Sequence, residues 1–207
     1  MSHPEVLLVP VLMFLDYFLT VLGSVLRSKK FGEHYKVTHY ELNPVWQKAI
    51  AEKKWFNLRH IFLTLFISTV LIGLTNYAGI PDELVEGLLG CFIVFFAMLV
   101  GRHLSNLLII RYRRQNPDAI SGQIVISQPM ALAISAYQFI TVLPSVVLIA
   151  VLSGAPFAYG GVAGICLLLF SHLIWGIKSK KQITPPPFVP EKNPEAVPAI
   201  PLQARRE

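Results

Sequence analysis

The stretch that decides the fold is residues 87–110, Gly87-Leu-Leu-Gly-Cys-Phe-Ile-Val-Phe-Phe-Ala-Met-Leu-Val-Gly-Arg-His-Leu-Ser-Asn-Leu-Leu-Ile-Ile110. Crossing about 30 Å of hydrocarbon takes about 20 apolar residues, so this run is long enough to span a bilayer. It nevertheless contains the adjacent ionisable residues Arg102 and His103. A charge deep in the hydrocarbon costs about 2.5–3.5 kcal/mol and normally faces protein or a water-filled cavity. Arg102 is therefore the leading candidate for a functional residue.

The composition indicates an integral membrane protein. Hydrophobic residues make up 54% of the 207 residues and charged residues 14%. The apolar residues occur in runs of about twenty, which is typical of bilayer spans and disfavours the alternative of a soluble helical bundle. The net charge of +6 is therefore interpreted loop by loop as a topology signal, and no nucleic-acid partner is expected.

Apolar runs predict the fold class, an all-α membrane bundle of five transmembrane helices. The predicted spans are residues 6–26, 60–80, 87–110, 131–152 and 157–177. The first run follows no basic residue and precedes no small-residue cleavage site, so we expect a retained helix and not a signal peptide. Residues 1–181 form the predicted transmembrane domain. The proline-rich residues 182–207 are predicted to be a disordered tail that could bind a protein partner.

The distribution of Lys and Arg predicts the orientation. Apart from Arg102, every Lys and Arg lies in residues 27–59, 111–114 or 178–207, whereas residues 1–5, 81–86 and 153–156 contain none. By the positive-inside rule, the N-terminus is expected outside and the C-terminus in the cytoplasm. This agreement also supports five spans and not four or six.

The basic loop, residues 27–59, contains a predicted amphipathic helix at about residues 44–56. The Asn-Pro pair at 43–44 can begin a helix, because Asn is a good N-cap and Pro fits the first turn. Trp46 and Ile50 then share one face, and lysines lie away from it. Such a helix typically lies in the membrane interface, so we expect the bilayer and its anionic headgroups as partners. A docking site for a soluble partner is the alternative.

Three shorter patterns concern local structure. Ser127-Gln-Pro129 predicts a helix start. The glycines of residues 160–164 predict a helix-packing surface and not a phosphate loop, since no strand precedes them. Cys91 and Cys166 lie inside apolar runs without the spacing of a metal or disulfide pair, so we interpret them as packing residues.

Polar side chains in four of the spans predict a shared layer that opens toward the cytoplasm. At about 1.5 Å per residue, Asp16 lies roughly 15 Å from the cytoplasmic end of its span and Arg102 roughly 13 Å from that of its own. Pairing is the usual way in which buried charges become tolerable, so the sequence predicts an Asp16–Arg102 ion pair. Thr20 shares a face with Asp16 and Asn106 shares one with Arg102, because residues four apart are helix neighbours.

The loop next to this layer contributes Glu41 and Asn43, together with His34 and His39. The segment Glu41-Leu-Asn43-Pro44, which follows a transmembrane aspartate, resembles an E-x-N-P pattern in a family of small uncharacterised prokaryotic membrane proteins. The resemblance covers about the first two spans and implies a role for Asp16, Glu41 and Asn43 without implying an activity. The histidines lack the spacing of a zinc motif such as H-E-x-x-H, so no metal site is predicted.

These observations define one candidate site in a multi-pass protein of the prokaryotic inner membrane. Gln138 and His172 fall at a depth similar to that of Arg102. The candidate ligand-binding residues are Asp16, Thr20, Glu41, Asn43, Arg102, His103, Asn106, Gln138 and His172. The structural alternatives are a salt bridge that orients two helices and histidines that are satisfied by a neighbouring hydroxyl or carbonyl.

The expected function is binding or translocation of a small polar or anionic solute. In this hypothesis Arg102 attracts the anion, and Asp16 holds Arg102 when no solute is bound. One alternative is a membrane-embedded enzyme, in which histidines and carboxylates gather a metal or move protons. Another is a non-catalytic subunit that binds through the basic loop, the Trp helix and the proline-rich tail. The sequence does not identify a cofactor.

Overall fold

The computed structural model describes residues 3–27, 35–37, 40–76, 79–116, 119 and 124–180. A 3₁₀ turn at Pro4–Leu7 precedes the first helix. The helices are α1 (Leu8–Arg27), α2 (Gln47–Ala51), α3 (Leu58–Asn76), α4 (Asp82–Gln115), α5 (Gln128–Ser153) and α6 (Pro156–Lys180), and the strands are β1 (Tyr35–Val37) and β2 (Ile124–Ile126). The predicted tail at 182–207, His34 and His39 lie outside the described residues.

Five of the helices, α1 and α3 to α6, are long and apolar enough to cross a membrane, which indicates a membrane-spanning protein. The most extended is α4, which continues through the arginines at 111–114 that the sequence analysis assigned to a loop. At about 1.5 Å per residue its length is about 51 Å, so it exceeds the hydrocarbon core of about 30 Å. The predicted start of α5 is confirmed, because the Ser127 hydroxyl accepts a hydrogen bond from the Met130 N–H at 3.4 Å.

The central element of the bundle is α4. It packs against α1 on one side and α6 on the other, α3 packs against α1, and α5 packs against α6. Val9, Met13 and Leu89 belong to a buried cluster between α1, α3 and α4. A second cluster, built on Phe139 and Leu168, joins α4, α5 and α6. Large apolar side chains on the outer faces of α3 and α5 are exposed, as expected of surfaces that meet lipid.

The contact between α4 and α6 depends on glycines. A Cβ atom added at Gly160 would overlap the carbonyl oxygen of Gly87, and one added at Gly164 would overlap the carbonyl oxygen of Cys91. Gly90 on α4 lies equally close to the carbonyl group of Phe157. Small residues let two helix backbones touch, which is the main means of helix association where no hydrophobic effect operates between helices. The glycines of residues 160–164 thus form the predicted packing surface.

The two basic connections meet at one end of the bundle. β1 lies between α1 and α3, β2 lies between α4 and α5, and the strands pair in parallel with Tyr35 opposite Ile124. At the same end, α1 extends past the start of α3. The ring of Tyr17 lies 4.5 Å from the ring of His60 in the first turn of α3. Residues 18–27, about 15 Å of helix, therefore extend beyond that level.

The segment 40–57 covers this extension of α1. The Tyr17 hydroxyl donates to the Lys54 carbonyl at 2.7 Å, and the Ser24 hydroxyl lies 3.3 Å from the Ile50 carbonyl. Ile50 is buried against Tyr17 and Val21, with Trp46 packed beside it. The helix in this segment, α2, is much shorter than the predicted 44–56, because Lys53 adopts a left-handed φ of 54° and stops it. The apolar side chains Trp46 and Ile50 thus pack on α1 from a short helix, whereas the sequence predicted a longer helix in the membrane interface.

Replacing Gly160 by Ala should destabilise the protein, because the new Cβ would overlap the Gly87 carbonyl. Overpacking of this kind typically costs about 1–3 kcal/mol, so the thermal unfolding midpoint of the purified protein should fall. Gly176→Ala is the matched control on the same helix, since a Cβ at Gly176 meets nothing within 4 Å. The control should be neutral or slightly stabilising. Equal midpoints for the two variants would contradict the close packing.

Candidate functional site

His103 lies between Asp16 and Arg102. Its Nε2 atom is 3.2 Å from Asp16 Oδ1 and 3.1 Å from Arg102 Nη2. Among the ion pairs of the described residues, Asp16 is paired with His103 and not with Arg102, so the predicted direct pair is wrong. The reason is helix geometry. Successive residues on a helix point about 100° apart, so His103 faces α1 while Arg102 faces α5 and α6.

Thr20 completes the α1 side of this contact. Its Oγ1 donates to the Asp16 backbone carbonyl at 2.7 Å and lies 2.9 Å from His103 Nε2. A hydroxyl has one proton, so Thr20 presents a lone pair to His103 while it makes the first bond. His103 itself is only 4% exposed. The contact is therefore enclosed between α1 and α4.

Neutral groups hold the other side of Arg102. Its Nη1 donates to Ser135 Oγ at 2.8 Å and lies 3.4 Å from His172 Nε2. His172 Nδ1 lies 2.9 Å from the Leu168 carbonyl, which can only accept, so Nδ1 carries the proton and Nε2 is an acceptor. Arg102 Nε is buried and has no hydrogen-bond partner among the described residues.

Ser135 was missed by the sequence analysis. It lies three positions before Gln138 on α5, so the two share a helix face, and this spacing is the signal that could have identified it. It is buried, and its hydroxyl also lies 3.0 Å from His172 Nε2. Ser135 thus links the α5 and α6 sides of the site.

One cavity, of about 230 Å³, lies between α4, α5 and the connections at the basic end. We call it the arginine cavity. Its polar lining consists of Arg27, Tyr40, Arg102, His103, Asn106, Ser135 and Gln138. No Asp or Glu of the described part of the chain lines it. Burial raises the pKa of Tyr40 to about 12, so its phenol stays neutral.

A second cavity, of about 190 Å³, lies between α1, α4, α6 and the segment 40–57. We call it the carboxylate cavity. Seven of the predicted residues line it: Asp16, Thr20, Glu41, Asn43, Arg102, His103 and His172. The remaining two, Asn106 and Gln138, line the arginine cavity. Arg102 and His103 line both cavities and, together with Leu42, form the wall between them.

The Glu41-to-Pro44 motif is a hydrogen-bonded turn. The carboxylate of Glu41 accepts from the Asn43 N–H at 2.7 Å, and the Asn43 side-chain oxygen accepts from the Val45 N–H at 3.0 Å. The Asn43 carbonyl also accepts from the Trp46 N–H at 3.1 Å. Asn43 therefore shapes a turn before α2 instead of capping a helix that begins at once. The turn positions the buried Glu41 in the wall of the carboxylate cavity.

His60 is a second residue to which the sequence analysis gave no role. It is buried, and its ring is surrounded by those of Tyr17 at 4.5 Å, Trp46 at 5.5 Å and Phe14 at 6.0 Å. Two of these contacts come from α1 and one from the folded-back segment 40–57. No local pattern around His60 could have indicated them. Within the described ranges, no group of three or more His, Cys, Asp or Glu side chains could hold a metal ion.

Glu41→Gln should reduce the dependence of stability on pH. Burial raises the pKa of Glu41 above its ordinary 4.5, and the positive charge of Arg102 opposes this only in part. The folded protein therefore binds this proton more tightly than the unfolded chain does. The stability that Glu41 contributes should be fully present below pH 4.5 and be lost as pH rises through the raised pKa. The glutamine keeps an oxygen for the Asn43 N–H and should remove that decline from a plot of unfolding midpoint against pH.

The matched control is Glu52→Gln in the same segment. Glu52 is exposed, and the hydrogen bond from Lys54, with Nζ 2.6 Å from its Oε2, lowers its pKa. The contribution of Glu52 to the stability of the wild type should therefore be lost as pH falls, and Glu52→Gln should lack this loss. Any effect of the control thus has the opposite sign to that of Glu41→Gln. Parallel pH profiles for Glu41→Gln and the wild type would contradict the assignment to Glu41.

Comparison with known proteins gives no family assignment. No protein-family model matches the chain, and no curated protein or solved structure matches it.

Proposed function

We propose that this chain is a multi-pass protein of the inner, cytoplasmic membrane that binds or translocates a small anionic solute at Arg102. One observation carries the proposal: Arg102 is an inward-facing cation with no carboxylate at ion-pair distance among the described residues. Its Nη1 contacts a hydroxyl and an imidazole, and its Nε has no described partner. A guanidinium held in this way retains charge and donors for an anion.

The lining of the arginine cavity supports an anion over a cation. It combines the guanidinium group of Arg102 with the side-chain amides of Asn106 and Gln138. Each of these groups can donate hydrogen bonds to oxygen atoms. At about 230 Å³ the cavity is smaller than the usual range for drug-sized ligands, about 300–1,000 Å³. A small carboxylate or an inorganic oxyanion is the class of solute that fits.

The acidic residues nearby leave this preference intact. Asp16 lies on the far side of His103 and is paired with it. Burial raises the pKa of Glu41, which favours its neutral form. The positive charge of Arg102 is therefore not cancelled by direct contact with either carboxylate.

The proposed orientation has the N-terminus outside and the basic end of the bundle in the cytoplasm. The lysines and arginines of the connections favour it by the positive-inside rule. The parallel pairing of β1 with β2 brings two of the basic connections to the same end, which is compatible with that assignment. Reporter fusions at the two termini test it, and a cytoplasmic N-terminus would overturn it.

Arg102→Gln should weaken saturable anion binding by the purified full-length protein. Sulfate, phosphate, acetate and lactate are titrated against the wild type and the variant in lipid nanodiscs, with acetamide as the uncharged control. Loss of a charge-assisted hydrogen bond costs about 1.5–3 kcal/mol, so the affinity of any anion that binds should fall at least about tenfold.

Arg111→Gln is the matched control, because Arg111 lies on the same helix but is exposed. It should bind anions as the wild type does. The proposal fails if none of the four anions binds the wild type, or if the two variants lose affinity equally.

A further inference from the structure

The geometry at His103 presents a donor and an acceptor to a single ring atom. Arg102 Nη2, 3.1 Å from Nε2, can only donate, whereas an ionised Asp16 carboxylate, 3.2 Å from the same atom, can only accept. Nε2 carries either a proton or a lone pair. It can therefore satisfy Arg102 or Asp16, but not both at once.

These two arrangements differ by one proton on Nε2, taken up from solution when Nδ1 keeps its own; a shift of the Nδ1 proton to Nε2 would involve no uptake, and the proton-uptake measurement below separates the two. With a lone pair at Nε2, His103 is neutral, accepts from Arg102 and leaves Asp16 Oδ1 without a hydrogen-bond partner among the described residues. With protons on both ring nitrogens, the imidazolium faces Asp16 and the lone pair of Thr20, and it repels Arg102. Thr20 favours the second arrangement, since its own proton is used on the Asp16 carbonyl.

An anion at Arg102 would select between the arrangements. It draws the guanidinium away from Nε2 and neutralises the repulsion between Arg102 and a doubly protonated His103. Nε2 then becomes free to gain a proton opposite Asp16. For a monovalent anion the added charges cancel, because the solute brings one negative charge and the proton gives the imidazole one positive charge; a divalent anion such as sulfate adds one further negative charge.

The surrounding titratable and charged groups are compatible with this exchange. Asp16 faces His103 from α1, and Arg102 lies beside it on α4. From the segment 40–57, Glu41 shares the carboxylate cavity with it. His60 of α3 and His172 of α6 line the same cavity, and Arg27 and Tyr40 line the arginine cavity on its other side. His172 Nδ1 donates to the Leu168 carbonyl, and its Nε2 is an acceptor because it faces the donors Arg102 Nη1 and Ser135 Oγ.

We infer that His103 is a proton-binding site that couples uptake of a proton to binding of the anion at Arg102. The inference rests on the proposed function and extends it, because it makes the proton the co-ligand of the solute. His103 lines both cavities, so the anion can reach Arg102 from the arginine cavity and the proton can reach His103 from the carboxylate cavity. Binding at the two sites is then reciprocal: each ligand raises the affinity for the other.

The first test needs no anion. The full-length protein, labelled with ¹⁵N in its histidines, is studied by NMR in nanodiscs between about pH 5 and about pH 8, where imidazoles titrate. Arg102→Gln should shift the His103 Nε2 signal toward the protonated form, and Asp16→Asn should shift it toward the lone-pair form. His103→Gln identifies the signal. An Nε2 signal that is the same in both variants and the wild type would overturn the inference, whether or not an anion binds.

The second test measures coupling with sulfate, which has no titratable proton near neutral pH. At a pH at which His103 is only partly protonated, sulfate binding should increase its protonated fraction. The wild type should then take up part of one proton, and at most about one, per sulfate bound. A pH-indicator dye reports the uptake. His103→Gln should bind sulfate without it, and His60→Gln, which alters a histidine of the same cavity without contact to Arg102, should retain it.

Sulfate binding by the wild type without proton uptake would overturn the coupling. Loss of uptake in His60→Gln but not in His103→Gln would overturn the assignment to His103. If sulfate alone does not bind, acetate or lactate, whose carboxylates also have no titratable proton near neutral pH, replaces it in this measurement. If none of the four anions binds, the coupling falls together with the proposed function, whereas the NMR result still decides whether His103 has the two protonation states.

Discussion

A guanidinium inside an apolar bundle has to be surrounded by polar groups, and this requirement accounts for how the neighbours of α4 are arranged. Arg102 would cost about 2.5–3.5 kcal/mol in hydrocarbon, so each helix that packs near it contributes a partner. Ser135 comes from α5 and His172 from α6. The glycine contact between α4 and α6 brings the two backbones together, and α1 contributes Asp16 through His103.

The same arrangement separates two chemical environments. The wall that contains Arg102 and His103 has a cavity without described carboxylates on one side and a cavity with Asp16 and Glu41 on the other. The segment 40–57 contributes to the carboxylate cavity because its turn at Glu41 and Asn43 is held by local hydrogen bonds. Because that segment is buried on α1, the hydrogen-bonded turn of a short motif helps to enclose a site inside the bundle.

The sequence predicted the five apolar helices because hydropathy and turn chemistry are local properties. It also identified nine polar residues that line one or both cavities. It did not predict the partner of Asp16, because Arg102 and His103 lie at the same depth in the span. The two residues differ in the direction in which they point from α4, and counting residues along a span does not give the rotation of the helix. The aromatic surroundings of His60 and the fold of residues 40–57 depend on contacts between segments that are far apart in the sequence. The residue pattern within either segment therefore could not predict them.

The central claim is that Asp16 acts through His103 and not directly on Arg102. Two double-mutant cycles on the unfolding free energy test it, one combining Asp16→Asn with His103→Gln and the other combining Asp16→Asn with Arg102→Gln. Residues in direct contact show coupling of about 0.5–3 kcal/mol. The account predicts coupling in that range for Asp16 with His103 and a smaller value for Asp16 with Arg102. A larger coupling between Asp16 and Arg102, with none between Asp16 and His103, would contradict it.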